Sequence, residues 1–435
     1  MFQTPRGTRD FLPGEMIRRV FVLDTVRKVF EAYGFDPLET PAFEDWELLA
    51  KKGGGGDEIR NEIYYFKDKS DRELGLRFDL TVPMARVVAG NPQLQKPFRR
   101  YQIGRVWRYD RPQAGRYREF WQADVDIVGA ESVDADLECI AVMVSVLKKL
   151  GFGKFAVRLN SRKILNGIIE FIDIQKKQVP AVFRALDKLE KIGEKGVLKE
   201  MAASGVDRRK AGKLLELIKK RGKPGDILEK EMNAIGSNDT ARLGLEELKR
   251  MVEIGNVYGI SDRIEIDFSL VRGLDYYTGP IFEISIETKK NVGSVAGGGR
   301  YDNLIELYGG RWTPATGISL GVERICEIME AEKMFKLPGT KTLVFVVCIS
   351  DDLKSEALKI AQKLREDGVP TQTELMGRNM KKQMEYINSS KIPFALFVGE
   401  KEVKSNRFTL RNMVNGEQRT MNIDTIARAF SKILK

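Results

Sequence analysis

Apolar residues return along this chain with two periods, and the switches between them divide it into segments. Residues 15–33 carry Ile17, Phe21, Val22, Val26, Val29 and Phe30 at helical spacing, and Gly34 ends the stripe. Residues 35–41 then read as a strand closed by Pro41. Residues 76–81 alternate, with Leu76, Phe78 and Leu80 on one side and Arg77, Asp79 and Thr81 on the other. Residues 96–110 and 117–128 read as two long antiparallel strands. On the second, Trp121, Ala123, Val125 and Ile127 form one face, and Phe120, Gln122, Asp124 and Asp126 the other. Arg100, Gln102 and Arg108 share a parity on the first. A solvated face also alternates, but this polar set is Arg, Gln and Asp without Lys or Glu, which suits fixed recognition better.

Residues 134–150 follow as an amphipathic helix and 155–160 as a strand. From 161 to 256 the composition turns to Lys, Glu, Leu and Ile without strand-like alternation, so a helical insertion is expected between two pieces of one sheet. Its basic run 219–223 reads as a solvated face or a contact for RNA. Residues 264–270 and 281–287 again alternate. Residues 336–341, with Pro338-Gly339, form a linker, and beyond it strand, helix, strand, helix, strand, a hairpin turning at Asn415-Gly416 and a last helix make an α/β domain.

Length allows about three domains. Apolar content of 42% with 31% charged residues describes a soluble globular chain, its apolar runs strand-length rather than membrane-length. The opening residues carry charge where a secretion signal would carry an apolar core. Cys139, Cys326 and Cys348 lack metal spacing and suit a reducing cytoplasm. A net charge of +11 permits a nucleic-acid partner without requiring one. Histidine is absent. Serine-hydrolase triads, His-ligated zinc sites and His relays are therefore excluded.

Chemistry gathers in a few strings. Arg272-Gly273-Leu274-Asp275-Tyr276-Tyr277-Thr278-Gly279 puts a permanent planar donor, an acid and two rigid phenols where a turn needs only its glycines. Gly297-Gly298-Gly299 reads as a turn before a helix capped by Asp302, where substrate could approach the backbone. Thr81, before Val82-Pro83 and a helical pattern, is a candidate N-cap as well as a candidate ligand. Residues 317–324 read as a strand entering a helix with Arg324 in its first turn. The four glycines at 53–56 read as a surface loop.

These segments resemble the class II aminoacyl-tRNA synthetases in their histidyl form, over nearly the whole chain. Residues 15–41 are similar to motif 1, a dimer-interface element. Trp107-Arg108-Tyr109-Asp110-Arg111-Pro112 with Arg116-Tyr117-Arg118-Glu119-Phe120 resembles motif 2, and Gly317 to Arg324 resembles motif 3. The 272–279 and 295–302 strings resemble the two histidyl signatures. The resemblance implies an α+β fold: an antiparallel class II sheet flanked by helices, with a helical insertion and a C-terminal α/β anticodon-binding domain. The implied boundaries are 1–160 and 257–335 for the catalytic domain, 161–256 for the insertion and 336–435 for the last domain.

By the same resemblance L-histidine is activated with ATP and Mg2+ and passed to the 3′ end of tRNA(His), by a cytoplasmic homodimer without membrane contact. Arg108 and Arg272 would be catalytic. Arg108, Arg116, Phe120 and Arg324 would bind ATP. Asp79, Thr81 and Gln122 would take the ammonium, and Asp126 and Tyr277, with Tyr276 and Tyr301 beside them, the imidazole. Arg272 would also touch histidine, and Arg111 and Gln113 the tRNA acceptor end. The family often has Glu where Asp126 stands, so the reach here is one methylene shorter. A regulatory subunit that binds histidine without charging tRNA, and a synthetase for proline, threonine or glycine, are the alternatives. With no histidine in the chain, an ionisation of about 6.5 in the activation profile is expected to belong to the substrate's imidazole.

Overall fold

The computed structural model describes residues 2–51, 61–110, 117–271, 276–288 and 293–434. The chain divides into two compact units, one of residues up to Arg9 and Val22–Met334, the other of Asp10–Phe21 and the residues from Phe335 on.

In the first unit β1 is short (Asp36–Pro37), and β2 (Phe43–Asp45), β3 (Tyr65–Lys67) and β4 (Glu73–Leu76) form a small antiparallel sheet in the order β2-β4-β3. The main sheet takes β1 together with β5 (Phe98–Trp107), β6 (Glu119–Val128), β7 (Phe155–Ser161), β8 (Arg221–Gly222), β9 (Ile264–Asp267), β10 (Pro280–Ile286), β11 (Ser294–Arg300) and β12 (Ala315–Gly321). Its nine strands lie in the order β1-β5-β6-β12-β11-β10-β7-β9-β8. From β5 to β7 every pairing is antiparallel, and β1 and β9 join in parallel. Helix Asp134–Lys149 packs on β6 and β12 and buries Leu137, Ile140, Ala141 and Val144. Ala123, Val125 and Ile127 are buried too. The opposite face of β5 and β6 is left for polar residues.

Helices Arg162–Phe171, Val179–Asp187, Leu189–Ala203, Arg208–Ile218, Pro224–Ile235 and Asp239–Val257 occupy the expected helical segment, interrupted only by the two residues of β8. Three cations of its basic run are paired: Lys219 meets Glu194 at 2.7 Å, Lys220 meets Glu231 at 3.4 Å and Arg221 meets Glu265 of β9 at 2.8 Å.

Several expectations are corrected. The strand predicted over 35–41 is only Asp36–Pro37, and the one over 76–81 stops at Leu76. Past Leu76 both parities are buried, Arg77 and Asp79 at 4% exposure and Phe78 and Leu80 at 1% and 0%, so alternation there reflects burial on all sides. The strands before and after 272–279 are not neighbours, because β7 lies between β9 and β10. Phe21, assigned to the apolar stripe of helix Pro13–Ala32, is 38% exposed.

In the second unit β13 (Val344–Cys348), β14 (Thr371–Thr373) and β15 (Phe394–Val398) are parallel, and β16 (Phe408–Asn412) and β17 (Gln418–Met421) extend the sheet antiparallel in the order β14-β13-β15-β16-β17. Val344, Val346, Leu396, Ile360, Leu364, Ile426 and Phe430 fill one side, and Phe345, Val347, Ala395 and Ile387 the other. This is the expected α/β arrangement.

Candidate active site

The polar face of the main sheet is built by register. Arg100 and Gln102 of β5 stand opposite Asp126 and Asp124 of β6. Across the other edge of β6, Gly317, Ser319 and Gly321 of β12 stand opposite Asp126, Asp124 and Gln122, and Gly299 of β11 stands opposite Gly317. Directly opposed residues share a face. Two strands therefore supply charge, and the next two supply a floor with almost no side chains. The glycines at 297–299 do leave the backbone open, but from a central strand and not from the turn expected there. Asp302 is not a helix cap either: Asn303 precedes helix Leu304–Leu307, while Asp302 accepts from the Ala315 N–H at 3.2 Å. Gly317 is required by crowding, since a Cβ there would lie 2.1 Å from Asp126 Oδ1. At Gly299 it would lie 2.8 Å from the Tyr277 ring.

Asp126 is buried against Arg100, whose Nη2 stands 2.6 Å from Asp126 Oδ2, and it accepts a hydrogen bond from the Tyr301 hydroxyl. Burial raises its pKa, and Arg100 and Tyr301 oppose that rise only in part. Burial likewise pushes Asp124 up to about 7, against the pull of Arg100 and with the help of Asp126 and Asp79. Among the described residues, Asp124 Oδ1 and Gln122 Oε1 are buried without a hydrogen-bond partner, while Gln122 Nε2 donates to Ser319 at 2.8 Å.

Asp79 comes from the segment after β4. Arg77 moors that segment, donating to the Arg105 carbonyl at 2.9 Å and to the Thr40 carbonyl at 2.6 Å. Asp79 Oδ1 accepts from the Val82 N–H at 3.1 Å, so this carboxylate satisfies the start of helix Thr81–Gly90. Thr81 is the first helical residue, not its cap; the preceding residue is Leu80. Among the described residues Asp79 Oδ2 is buried without a hydrogen-bond partner, and burial lifts the pKa to about 6 despite Val82, Arg108 and Arg100.

Three phenols close one side. The Tyr276 ring lies edge-on to Tyr277 at 4.9 Å and to Tyr301 at 5.7 Å between centroids. Tyr276 and Tyr277 also border a cleft of about 1000 Å³ whose lining includes Asn166 and Phe183 of the helical segment. At the other end Arg108 Nε donates to the Phe78 carbonyl at 3.0 Å, and its guanidinium lies 5.4 Å from the Phe120 ring centre. Arg324 reaches the Ser294 carbonyl of β11, and its neighbour Glu323 accepts from the Trp121 N–H at 2.9 Å.

The expected residues Asp79, Thr81, Arg108, Phe120, Gln122, Asp126, Tyr276, Tyr277, Tyr301 and Arg324 thus belong to one sheet face and its margins. Arg111, Gln113, Arg116 and Arg272, and the glycines 53–56, lie outside the described residues. Arg100, Asp124 and Ser319 join this face without a role expected from the sequence. The first two share the parity of Arg108 and Asp126, which was the available signal; Ser319 had none.

Residues 7–325 match the family model for histidyl-tRNA synthetase. The chain belongs to the histidyl-tRNA synthetase family. Residues 343–433 match the anticodon binding domain. Histidine–tRNA ligase of Aeropyrum pernix is 41% identical over 432 residues, covering 99% of this chain and 98% of that one. The ligase of Pyrococcus furiosus is 37% identical over 436 residues, covering 100% of each. The crystal structure of histidyl-tRNA synthetase from Nostoc superposes with a TM-score of 0.86 at 31% identity, covering 100% of this chain and 99% of that chain. The α+β reading, with its antiparallel sheet and C-terminal anticodon-binding domain, is the fold of this histidyl-tRNA synthetase family member.

Proposed function

We propose that this chain is a histidine–tRNA ligase, activating L-histidine with ATP and passing it to tRNA(His), and that it works as a homodimer. The observation that carries the assignment of the amino-acid pocket is a pair of buried acceptors without hydrogen-bond partners among the described residues, Asp79 Oδ2 and Gln122 Oε1, at the positions where the family pattern takes an ammonium group. An ammonium brings donors and no acceptor, so it would satisfy both. The imidazole would lie toward Asp126 and Tyr277, over the glycine floor. Tyr301 already donates to one oxygen of Asp126, and the charge of Arg100 stands 2.6 Å from the other.

In the first step the histidine carboxylate attacks the α-phosphorus of ATP and pyrophosphate leaves. Such a transfer asks for positioning and for fixed positive charge at the equatorial oxygens. Arg108, held through its Nε by Phe78, presents the rest of its guanidinium beside the carboxylate position, and Phe120 beneath it offers a ring for adenine. By the family pattern Arg324 and Arg116 would serve the outer phosphates, and Arg272 the α-phosphate. Mg2+ would neutralise the charge of the ATP phosphates. In the second step a hydroxyl of the tRNA's terminal adenosine attacks the acyl carbon of the adenylate and AMP leaves, with Arg111 and Gln113 meeting the acceptor end. A substrate phosphate oxygen or water would take the released proton, since no histidine is present to do so, unless one of the site's buried carboxylates receives it.

Amino-acid-dependent pyrophosphate exchange across the twenty amino acids tests the reading. Exchange with histidine alone supports it. Histidine binding without exchange would mean the regulatory alternative, and exchange with proline, threonine or glycine a different synthetase.

A further inference from the structure

We propose that Arg100 is a positioning residue that sets the distance between the two ends of the amino-acid pocket. The proposal rests on the histidine reading of that pocket. Arg100 is 0% exposed on the central strand β5, directly opposite Asp126. A single nitrogen, Nη2, stands 2.6 Å from Asp126 Oδ2 and donates to the Leu80 carbonyl at 3.1 Å. Leu80 lies between Asp79 and Thr81, the residues placed at the ammonium end. One guanidinium therefore spans from the segment that would hold the amino group to the carboxylate that would meet the ring. The short side chain of Asp126 must be held at a fixed depth to reach the ring. Arg100 behind it and Gly317 beside it supply that hold and the space for it.

A purely stabilising role fits the geometry less well. Nε and Nη1 of Arg100 are buried without hydrogen-bond partners among the described residues. A buried ion pair with unsatisfied donors is weak as a stabiliser, and an apolar side chain of similar volume often does as well. What such a pair does confer is a fixed geometry between the groups it joins.

The test compares wild type with Arg100→Lys and Arg100→Met in pyrophosphate exchange, using histidine and a thiazolylalanine that keeps the ring size but lacks the ring N–H donor. Lysine preserves the buried charge, yet its ammonium stops short of the position of Nη2 and lacks the planar fork. For Arg100→Lys the histidine KM should rise at least ~30-fold with the ATP KM within ~3-fold, and the preference for histidine over the analogue should fall at least ~10-fold. A loss of stability alone would lower activity with both substrates and leave that preference intact. An unchanged preference in folded Arg100→Lys overturns the proposal. A lysine variant too unstable to assay also counts against it, since Arg100 would then be structural first; Arg100→Met adds support only if folded and equally indifferent to the N–H donor. Failure of the function reading is separate, because wild type itself would then show no histidine-dependent exchange.

Discussion

Replacing Asp124 by asparagine should stabilise the ligand-free protein at alkaline pH and do little for it in mild acid. Asp124 is 2% exposed, has Oδ1 without a hydrogen-bond partner among the described residues, and feels the charge of Arg100 alongside those of Asp126 and Asp79. Its pKa of about 7 lies above the reference value of 3.8 for an unfolded chain. The folded protein therefore binds the proton more tightly than the unfolded chain does. This contribution to stability is complete below about 4 and is lost as the pH rises through about 7. At about 1.4 kcal/mol per unit, the loss between pH 5 and pH 8 comes to about 3 kcal/mol. Asparagine imitates the protonated acid in size and charge and does not titrate. The stability difference between Asp124→Asn and wild type should thus be about 3 kcal/mol more favourable to the variant at pH 8 than at pH 5. Urea unfolding followed by tryptophan fluorescence measures it, because Trp46, Trp107, Trp121 and Trp312 all lie in the first unit. A difference that does not change with pH, or one that favours wild type as pH rises, refutes the claim that this carboxyl is buried at a cost.

Three further outcomes are expected. Gly317→Ala would place a Cβ 2.1 Å from Asp126 Oδ1 and 2.8 Å from the Val125 carbonyl oxygen; it should cost roughly 1–3 kcal/mol of stability and reduce histidine-dependent exchange at least ~10²-fold, and normal exchange would contradict the crowded floor. Tyr301→Phe removes a donor to a buried carboxylate, so the histidine KM should rise ~10–100-fold while the ATP KM stays put, as steady-state exchange kinetics would show. Removing the residues after Lys336 should spare histidyl-adenylate formation and weaken tRNA charging, provided the truncated chain keeps its oligomeric state; equal loss of both activities would contradict that division.

The elements legible in the sequence are those whose partners lie close along the chain. The alternation of β5 and β6 stands out because one face packs on the helix Asp134–Lys149 and the other carries Arg100, Gln102, Asp124 and Asp126. The helical segment is legible for the same local reason. β11 is not, because Gly297, Gly298 and Gly299 carry no hydropathy pattern, and glycine in a strand is read as a turn until its neighbours are known. Nor is the separation of β9 from β10, since β7, which lies between them, comes more than a hundred residues earlier. The candidate site was legible as residue types and illegible as a charge balance. Only the register brings Asp126 to the Arg100 guanidinium, with Asp124 beside it on the same face, and shows that Gly317 makes room for Asp126.

The absence of histidine shows where such a reading from composition stops. Counting residue types leaves no side chain with an ordinary pKa near neutrality, which assigns any ionisation of about 6.5 to the substrate. Burial changes that assignment. Asp79 at about 6 and Asp124 at about 7 stand on the site's own face, and both are pushed there chiefly by loss of water. The chain therefore carries titrating groups of its own in the range where histidine would have supplied them. Each becomes less easily protonated as a cation approaches, so an incoming ammonium group would favour their charged forms and release the protons they hold. A pH profile of activation accordingly reports the pocket's carboxylates and the substrate's ring together, and the two separate only when the ring is replaced by one that does not titrate.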